Sequence, residues 1–186
     1  MPPRLTREEF HRWAEGRTGR YERVGGEPVA MSPERVQHVR IKSRVWAALD
    51  RAIRAAGLDC EALADGVTIE VDEETDYEPD AVVNCGPRLS PDATSATNPV
   101  VVVEVLSPST QSVDSGEKLA DYFRVATIQH YLVVRARRQE IIHHWRSGDE
   151  IVSCPINLGL IRLDPPGIVL DVAELYGGEA GPSSPR

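Results

Sequence analysis

Near the middle of the chain, a run of apolar residues is interrupted by one carboxylate, in the segment PVVVVEVL at positions 99–106. Consecutive valines are typical of a central strand that is covered on both faces. Glu104 interrupts the run, and burying its carboxylate costs several kcal/mol unless a partner pairs with it or coordinates it. The segment therefore predicts a fold built around a buried strand, with Glu104 as a candidate functional residue. The alternative is a strand-end glutamate that is bridged to an arginine or lies in solvent.

The composition is that of one globular domain. The chain has 186 residues, 41% hydrophobic and 27% charged, and this length can bury a core without disulfides or a structural metal. The longest apolar run, Pro99 to Val103, is far too short to span a membrane, and the polar N-terminus lacks a signal-peptide pattern. We expect a cytoplasmic protein with no membrane partner, a single domain over residues 1–176 and a disordered tail over 177–186.

Charge and cysteine content narrow the classes of function. The chain has 21 basic and 29 acidic residues, a net charge of −8, which argues against non-specific coating of nucleic acid but is compatible with a local basic patch. Cys60, Cys85 and Cys154 are odd in number and widely spaced, which predicts neither a disulfide framework nor a metal site. We expect three small, buried cysteines in a reducing cytoplasm.

Lysine is almost absent. Of the 21 basic residues, 19 are arginine, and Lys42 and Lys118 are the two lysines. Because the chain uses arginine for generic positive charge, a retained lysine indicates a place where a compact ammonium is needed.

Caps, turns and periodicity predict an N-terminal helix, a β-hairpin and a long second helix. A capping box of Thr6 and Glu9 predicts a helix over roughly 7–15, and Gly25-Gly26 connects strands 21–24 and 27–31. Ser32-Pro33-Glu34 has the residues of a helix start, and Gly57 those of a helix end. Further strands are predicted at 60–64, 66–71, 80–84, 100–106, 130–134, 140–145, 151–154 and 168–172, with a third helix capped by Asp114. This order predicts an α/β (α+β) fold, a mixed sheet with helices on its faces.

The long helix is amphipathic. His38 and Lys42 fall on its apolar side, and the opposite side carries Arg40, Arg44, Arg51 and Arg54. Such an arginine stripe can contact phosphates, but we favour its commoner meaning, a solvated face paired with nearby acids.

Asp80 is a candidate functional residue because it can lie beside Glu104. Alone, Pro79-Asp80 is ordinary turn chemistry. A strand that begins at Asp80 can lie beside the valine strand, with both carboxylates at one edge of the sheet. Two converging carboxylates repel unless a divalent cation lies between them, and oxygen ligands suit Mg²⁺ or Mn²⁺. Lys118, on the helix after the valine strand, can reach the same edge and orient a water or stabilise charge on a phosphate; the alternative is a solvated surface lysine.

Longer segments resemble the Uma2 family, also called DUF820. They are YERVGGEPVAMSPERVQH, EPDAVV, VVVEVLSPSTQSVDSGEKLADYF and HYLVV, within about Thr6 to Tyr176. That family belongs to the PD-(D/E)XK nuclease superfamily. The resemblance implies a restriction-endonuclease-like mixed sheet flanked by helices, and a Mg²⁺- or Mn²⁺-dependent endonuclease that hydrolyses phosphodiester bonds in nucleic acid. DNA is favoured as the substrate, and the sequence leaves the choice between DNA and RNA open.

The resemblance also implies site residues. The superfamily's Pro-Asp aspartate falls on Asp80 and its second acidic residue on Glu104, so these two would hold the metal. The lysine expected at position 106 is replaced by Leu106, and Uma2-like chains carry it on the following helix, here at Lys118. A fourth, acidic site residue matches Glu27 of the hairpin, with Glu22 and Glu34 as alternatives. His38 matches a family histidine and is either a site residue or a core histidine.

Two other functions stay open. The fold can persist as a catalytically inactive binding or dimerisation module, which the net charge and Leu106 favour but the retained Asp80, Glu104 and Lys118 oppose. An acid–base hydrolase of a small substrate would use the same carboxylates without a metal. A homodimer suits cutting of a duplex, but no residue in the sequence indicates one.

Overall fold

The computed structural model describes residues 4–106 and 115–178. The four helices within these ranges are α1 (Arg7–Glu15), α2 (Val36–Ala56), α3 (Ser115–Tyr122) and α4 (Val172–Leu175). The strands there are β1 (Tyr21–Val24), β2 (Glu27–Ala30), β3 (Cys60–Ala64), β4 (Ile69–Glu70), β5 (Asp76–Tyr77), β6 (Ala81–Cys85), β7 (Pro99–Leu106), β8 (His130–Arg135), β9 (Ile141–Ser147), β10 (Glu150–Ile156), β11 (Leu160–Leu163) and β12 (Ile168–Asp171). The predicted cap Asp114 and the predicted tail beyond residue 178 lie outside the described residues.

The centre of the molecule is a six-stranded mixed sheet in the order β10-β9-β8-β7-β6-β3. Strands β7 and β8 are parallel, and the other neighbours are antiparallel. The hairpin β1–β2 joins β5 and β4 in a second, four-stranded sheet, and β11 pairs with β12. The predicted mixed sheet with helices on its faces, preceded by a helix and a hairpin, is confirmed.

Strand β7 is buried along its whole length because both faces of the sheet are covered. On one face Val101 and Val103 pack into a core with Ile41 and Leu49 of α2. On the other face Val102 packs with Tyr122 at the end of α3. Since side chains alternate along a strand, Glu104 shares the face of Val102 and therefore lies on the α3 side.

The register between β6 and β7 determines where the two candidate carboxylates meet. Ala81 pairs with Val103 in an antiparallel arrangement. Asp80 precedes the first of these residues and Glu104 follows the second, so the two acids lie opposite each other at one end of neighbouring strands.

The start of α2 differs from the prediction. The helix begins at Val36, and its N-cap Arg35 makes no side-chain capping bond. Glu34, predicted in the first turn, instead accepts hydrogen bonds from Arg20 and Lys42. These longer-range ion pairs keep the Ser32-Pro33-Glu34 segment out of the helix, whereas the end at Gly57, at φ 64°, agrees with the prediction.

The prediction of three buried, unpaired cysteines is wrong. Cys60 and Cys85 are register partners on β3 and β6 and form a disulfide, while Cys154 is free and half-buried. Their pairing follows from a strand register that the spacing of cysteines in the sequence does not reveal. Among the described residues, no helix is both long and apolar enough to cross a membrane.

Candidate active site

A cavity of about 170 Å³ opens where β6 begins and β7 ends. It is bounded by the β1–β2 hairpin, the segment 31–35, the first turn of α2, and α3. Of the described residues, four buried polar ones line it: Glu22, Asp80, Glu104 and Lys118. The structure thus brings the predicted residues Asp80, Glu104 and Lys118 to one cavity.

Helix α3 holds one oxygen of Glu104 with two donors. Lys118 Nζ lies 3.1 Å from Glu104 Oε1, and Tyr122 donates its hydroxyl to the same oxygen at 2.7 Å. Lys118 Nζ also lies 2.8 Å from Glu22 Oε1, which accepts the backbone N–H of Glu78 at 3.0 Å. The ammonium therefore bridges the hairpin and the central strand.

Asp80 is held from the opposite side, by β7 and α2. The backbone N–H of Val105 donates to its Oδ2 at 2.6 Å. His38 Nε2 and Lys42 Nζ each lie 3.4 Å from its Oδ1. His38 and Lys42 both lie on the side of α2 that the sequence predicts to face the protein interior.

Burial and these partners give the two carboxylates different pKa values. Burial raises the pKa of Glu104 to about 7, although the Lys118 charge works in the opposite direction. Burial would raise the pKa of Asp80 as well, but the hydrogen bonds from His38 and from the Val105 N–H outweigh it and hold that pKa below its usual value. Near neutral pH, Asp80 is therefore ionised while Glu104 is close to its midpoint.

A second group of charges surrounds Asp80. Lys42 Nζ lies 2.6 Å from Glu34 and 2.8 Å from Asp65. Arg20 binds the same two carboxylates and also Glu78, at 2.6 to 2.9 Å. Within the described part of the chain, three permanent cations (Arg20, Lys42 and Lys118) face six carboxylates (Glu22, Glu34, Asp65, Glu78, Asp80 and Glu104). The site carries an excess of negative charge.

Comparison with known proteins shows the family to which this chain belongs. The Uma2 family model, described as "Putative restriction endonuclease", matches residues 7–173. This chain belongs to the Uma2 family. An uncharacterized protein of Synechocystis sp. (strain ATCC 27184 / PCC 6803 / Kazusa) is 32% identical over 181 residues, which cover 96% of this chain and 94% of the relative.

A solved structure shares the Uma2 fold seen here. It is titled "Crystal structure of a putative nuclease belonging to DUF820 from Anabaena variabilis ATCC 29413" and superposes with a TM-score of 0.68 at 15% identity. The match covers 92% of this chain and 97% of the other. At this identity the likeness shows the fold.

The hairpin of this Uma2 chain supplies Glu22 to the cavity. Glu27 pairs with Val24 across the hairpin turn and does not line the cavity. Among the three alternatives that the sequence leaves open, Glu34 and His38 also line it. Glu22 is the one of these that shares the Lys118 ammonium with Glu104.

Sequence reasoning missed three contributors to this Uma2 site: Arg20, Lys42 and Tyr122. Lys42 had two signals, the scarcity of lysine and its place on the apolar side of α2. Tyr122 is buried at the end of α3, and its hydroxyl bond to Glu104 has no local signature in the sequence. Arg20 is one of 19 arginines and had no distinguishing signal.

Proposed function

We propose that this Uma2 protein is a metal-dependent endonuclease that hydrolyses phosphodiester bonds in DNA, with Asp80 and Glu104 holding Mg²⁺ or Mn²⁺. The observation that carries the proposal is the pair of buried carboxylates on neighbouring central strands, with the Lys118 ammonium 3.1 Å from one of them. A buried acid whose pKa is raised, as that of Glu104 is, is costly to the fold, and groups with shifted pKa values cluster at functional sites. An inactive module gains nothing from that cost.

The donor set fits a divalent cation. Among the residues that the structure describes, six carboxylates against three permanent cations leave negative charge that a cation would neutralise. One ligand atom each from Glu34, His38 and Asp80 lies within 4.8 Å of the others. Carboxylate oxygens suit Mg²⁺ and Mn²⁺ alike, whereas the imidazole favours the transition ion Mn²⁺. A bound ion of this kind lowers the pKa of water and neutralises charge on a phosphate.

Side chains of the protein then position the Glu104 carboxylate, the phosphate and the attacking water. Lys118 and Tyr122 both bind Oε1 of Glu104, which fixes the rotation of that carboxylate at the cavity. Lys118 lines the cavity and supplies positive charge for the phosphate or a hydrogen bond for the attacking water. Glu22 holds Lys118 from the hairpin, so we place Glu22 rather than Glu27 as the fourth site residue.

Cleavage of supercoiled plasmid in Mn²⁺ or Mg²⁺ tests the proposal. Asp80→Asn and Glu104→Gln should abolish nicking and linearisation while the circular dichroism spectrum stays unchanged. Glu150→Gln, on an exposed position of β10, is the matched control and should cleave as the wild type does. Full metal-dependent activity in either site variant would overturn the assignment. A parallel reaction with RNA of the same sequence tests the choice of DNA.

One observation also favours a second candidate, a metal-free acid–base hydrolase. A low pKa at Asp80 beside a pKa of about 7 at Glu104 suits a general base and a general acid. Hydrolysis of bis(4-nitrophenyl) phosphate in EDTA separates the two functions. The endonuclease proposal expects no turnover in EDTA, and undiminished turnover would favour the second candidate.

A further inference from the structure

We propose that the buried ammonium of Lys42 takes the place of a second metal ion beside Asp80, so that the candidate active site holds one divalent ion and one built-in cation. The inference rests on the proposed function, because it says how many ions the same site receives. It follows from the contacts of Lys42, from a closed ring of ion pairs around it, and from the charge that remains in the cavity.

Lys42 lies among the side chains that could hold an ion next to Asp80. The ligand atoms of Glu34, His38 and Asp80 are close enough together to share one, within 4.8 Å. The Lys42 ammonium already contacts two of these residues, at 2.6 Å from Glu34 Oε1 and 3.4 Å from Asp80 Oδ1. An ion bound to the same carboxylates would lie beside this ammonium, and the two positive charges would repel each other. Lys42 therefore competes with an ion for these ligands.

The ammonium of Lys42 is a fixed part of the fold. The residue is 7% exposed and is one of the buried residues of α2. Besides Glu34 and Asp80, it contacts Asp65, which directly follows β3 and accepts a hydrogen bond from Nζ at 2.8 Å. A compact nitrogen with three N–H donors suits three surrounding carboxylates. Lys42 is therefore held where a small cation is needed.

Arg20 and Lys42 hold the same two carboxylates in a closed ring. Glu34 Oε1 accepts from Arg20 Nη1 at 2.9 Å and from Lys42 Nζ at 2.6 Å. Asp65 Oδ2 lies 2.7 Å from Arg20 Nη1 and 2.8 Å from Lys42 Nζ. Positive and negative groups alternate around this ring, so cations of the chain itself neutralise both carboxylates. Glu34 is therefore a poor ligand for an added ion as long as Lys42 is present.

The buried side chains of the cavity leave the charge of one divalent ion. In the described part of the chain, the buried and charged residues of the lining are Glu22, Asp80, Glu104 and Lys118. Three carboxylates against one ammonium leave two negative charges when all of them are ionised. One Mg²⁺ or Mn²⁺ neutralises this excess, whereas a second divalent ion would exceed it. The lining therefore agrees with a single ion, and Lys42 supplies the further positive charge at Asp80.

Removing the ammonium should open the second position. We expect Lys42→Ala to bind one more Mn²⁺ per chain than the wild type, because it frees Glu34 and Asp80 beside His38. Electron paramagnetic resonance of the free ion counts bound Mn²⁺ in a titration up to about 1 mM. Arg54→Ala is the matched control, since it removes the same charge from α2, but Arg54 pairs with Asp50 and neither residue lines the cavity. It should bind as many ions as the wild type does.

Two further variants keep the test independent of the folding of Lys42→Ala, which leaves carboxylates without their cation and destabilises the fold. Lys42→Ala/Asp65→Asn removes one positive and one negative charge and keeps Glu34, His38 and Asp80, so it should also gain one Mn²⁺. Glu34→Gln alone should bind as many ions as the wild type does, because Lys42 already holds Glu34. Added to either Lys42 variant, Glu34→Gln should remove the gained ion.

An unchanged number of Mn²⁺ ions in the Lys42 variants overturns the proposal. So does loss of an ion from Glu34→Gln alone, because Mn²⁺ would then bind Glu34 while Lys42 is present.

The ion count also separates this inference from the proposed function. If the wild type binds no Mn²⁺ and cleaves no plasmid, but Lys42→Ala gains an ion, the proposed function fails and the role of Lys42 stands. If the wild type cleaves plasmid in Mn²⁺ but the Lys42 variants gain no ion, the role of Lys42 fails and the proposed function stands.

Discussion

At the scale of single residues, the two lysines account for much of the candidate site. Lys42 is 7% exposed and Lys118 5% exposed, and each ammonium lies within 3.1 Å of two carboxylates. A compact ammonium fits between two carboxylates where a planar guanidinium demands a different geometry. The scarcity of lysine in the sequence could therefore predict burial at both positions. It could not predict the partners, which lie up to 96 residues away.

Glu104 should destabilise the fold more as the pH rises. Its folded-state pKa of about 7 lies above the unfolded value of about 4.5, so the native state binds more protons between these values and the free energy of unfolding falls as the pH rises through that window. Glu104→Gln mimics the protonated form. Its stability relative to the wild type should rise by roughly 3 kcal/mol between pH 4 and pH 8.

Urea unfolding of the wild type and Glu104→Gln in EDTA at both pH values measures this difference. Asp80→Asn is the informative control because the pKa of Asp80 is lowered from its ordinary value of 3.8, so its ionised form stabilises the fold at both pH values and the cost of the substitution should change little between pH 8 and pH 4, falling only at more acidic pH. A stability difference for Glu104→Gln that does not change with pH would contradict the raised pKa.

At the scale of elements, local sequence patterns predicted correctly those helix ends and turns that local interactions determine. The capping box of α1, the hairpin turn at Gly25-Gly26 and the end of α2 at Gly57 all lie where the sequence predicts them. The start of α2 was predicted three residues early, because Glu34 binds Arg20 and Lys42 instead of joining the helix. The short strands β5 and β11 were not predicted because their few residues carry little periodicity, whereas the equally short β1 and β2 were predicted from the turn between them.

The strand pair β3–β6 should lose stability on reduction. The Cys60–Cys85 disulfide joins residues 25 apart in the sequence, and closing a loop of that length stabilises the folded state by about 3 kcal/mol through the unfolded chain. Urea unfolding with and without dithiothreitol measures the difference. Cys154→Ser should behave as the wild type does in both conditions, and Cys85→Ser should be insensitive to reductant. An unchanged midpoint in reduced wild type would show that the crosslink contributes nothing.

At the scale of the whole molecule, the mixed sheet could be predicted because the Uma2 resemblance spans nearly the whole chain. The family match over residues 7–173 confirms that resemblance. The identity of the fourth acidic side chain at the cavity could not be predicted from the sequence. Glu22 and Glu27 both lie on the hairpin, and the choice between them depends on how that hairpin packs against α3, which no local pattern encodes. The proposed roles of Asp80, Glu104 and Lys118 stay predictions until cleavage is measured.

Since the site gathers six carboxylates around three permanent cations in the described part of the chain, a divalent ion should stabilise the whole fold by mass action. At 100 times its dissociation constant, Mn²⁺ should add about 2.7 kcal/mol, which raises the Tm of a domain of this size by about 5–10 °C. Asp80→Asn should abolish the shift in differential scanning calorimetry, and Glu150→Gln should preserve it.

Two further variants locate the ion within the cavity. If Asp80 and Glu104 hold it, Glu104→Gln should lose the Mn²⁺-dependent rise in Tm and His38→Ala should keep most of it. The reverse result would place the ion among Glu34, His38 and Asp80, whose ligand atoms lie within 4.8 Å of one another. Asp80 belongs to both sets, so a normal shift in Asp80→Asn would contradict either placement and remove the physical basis for metal-assisted cleavage.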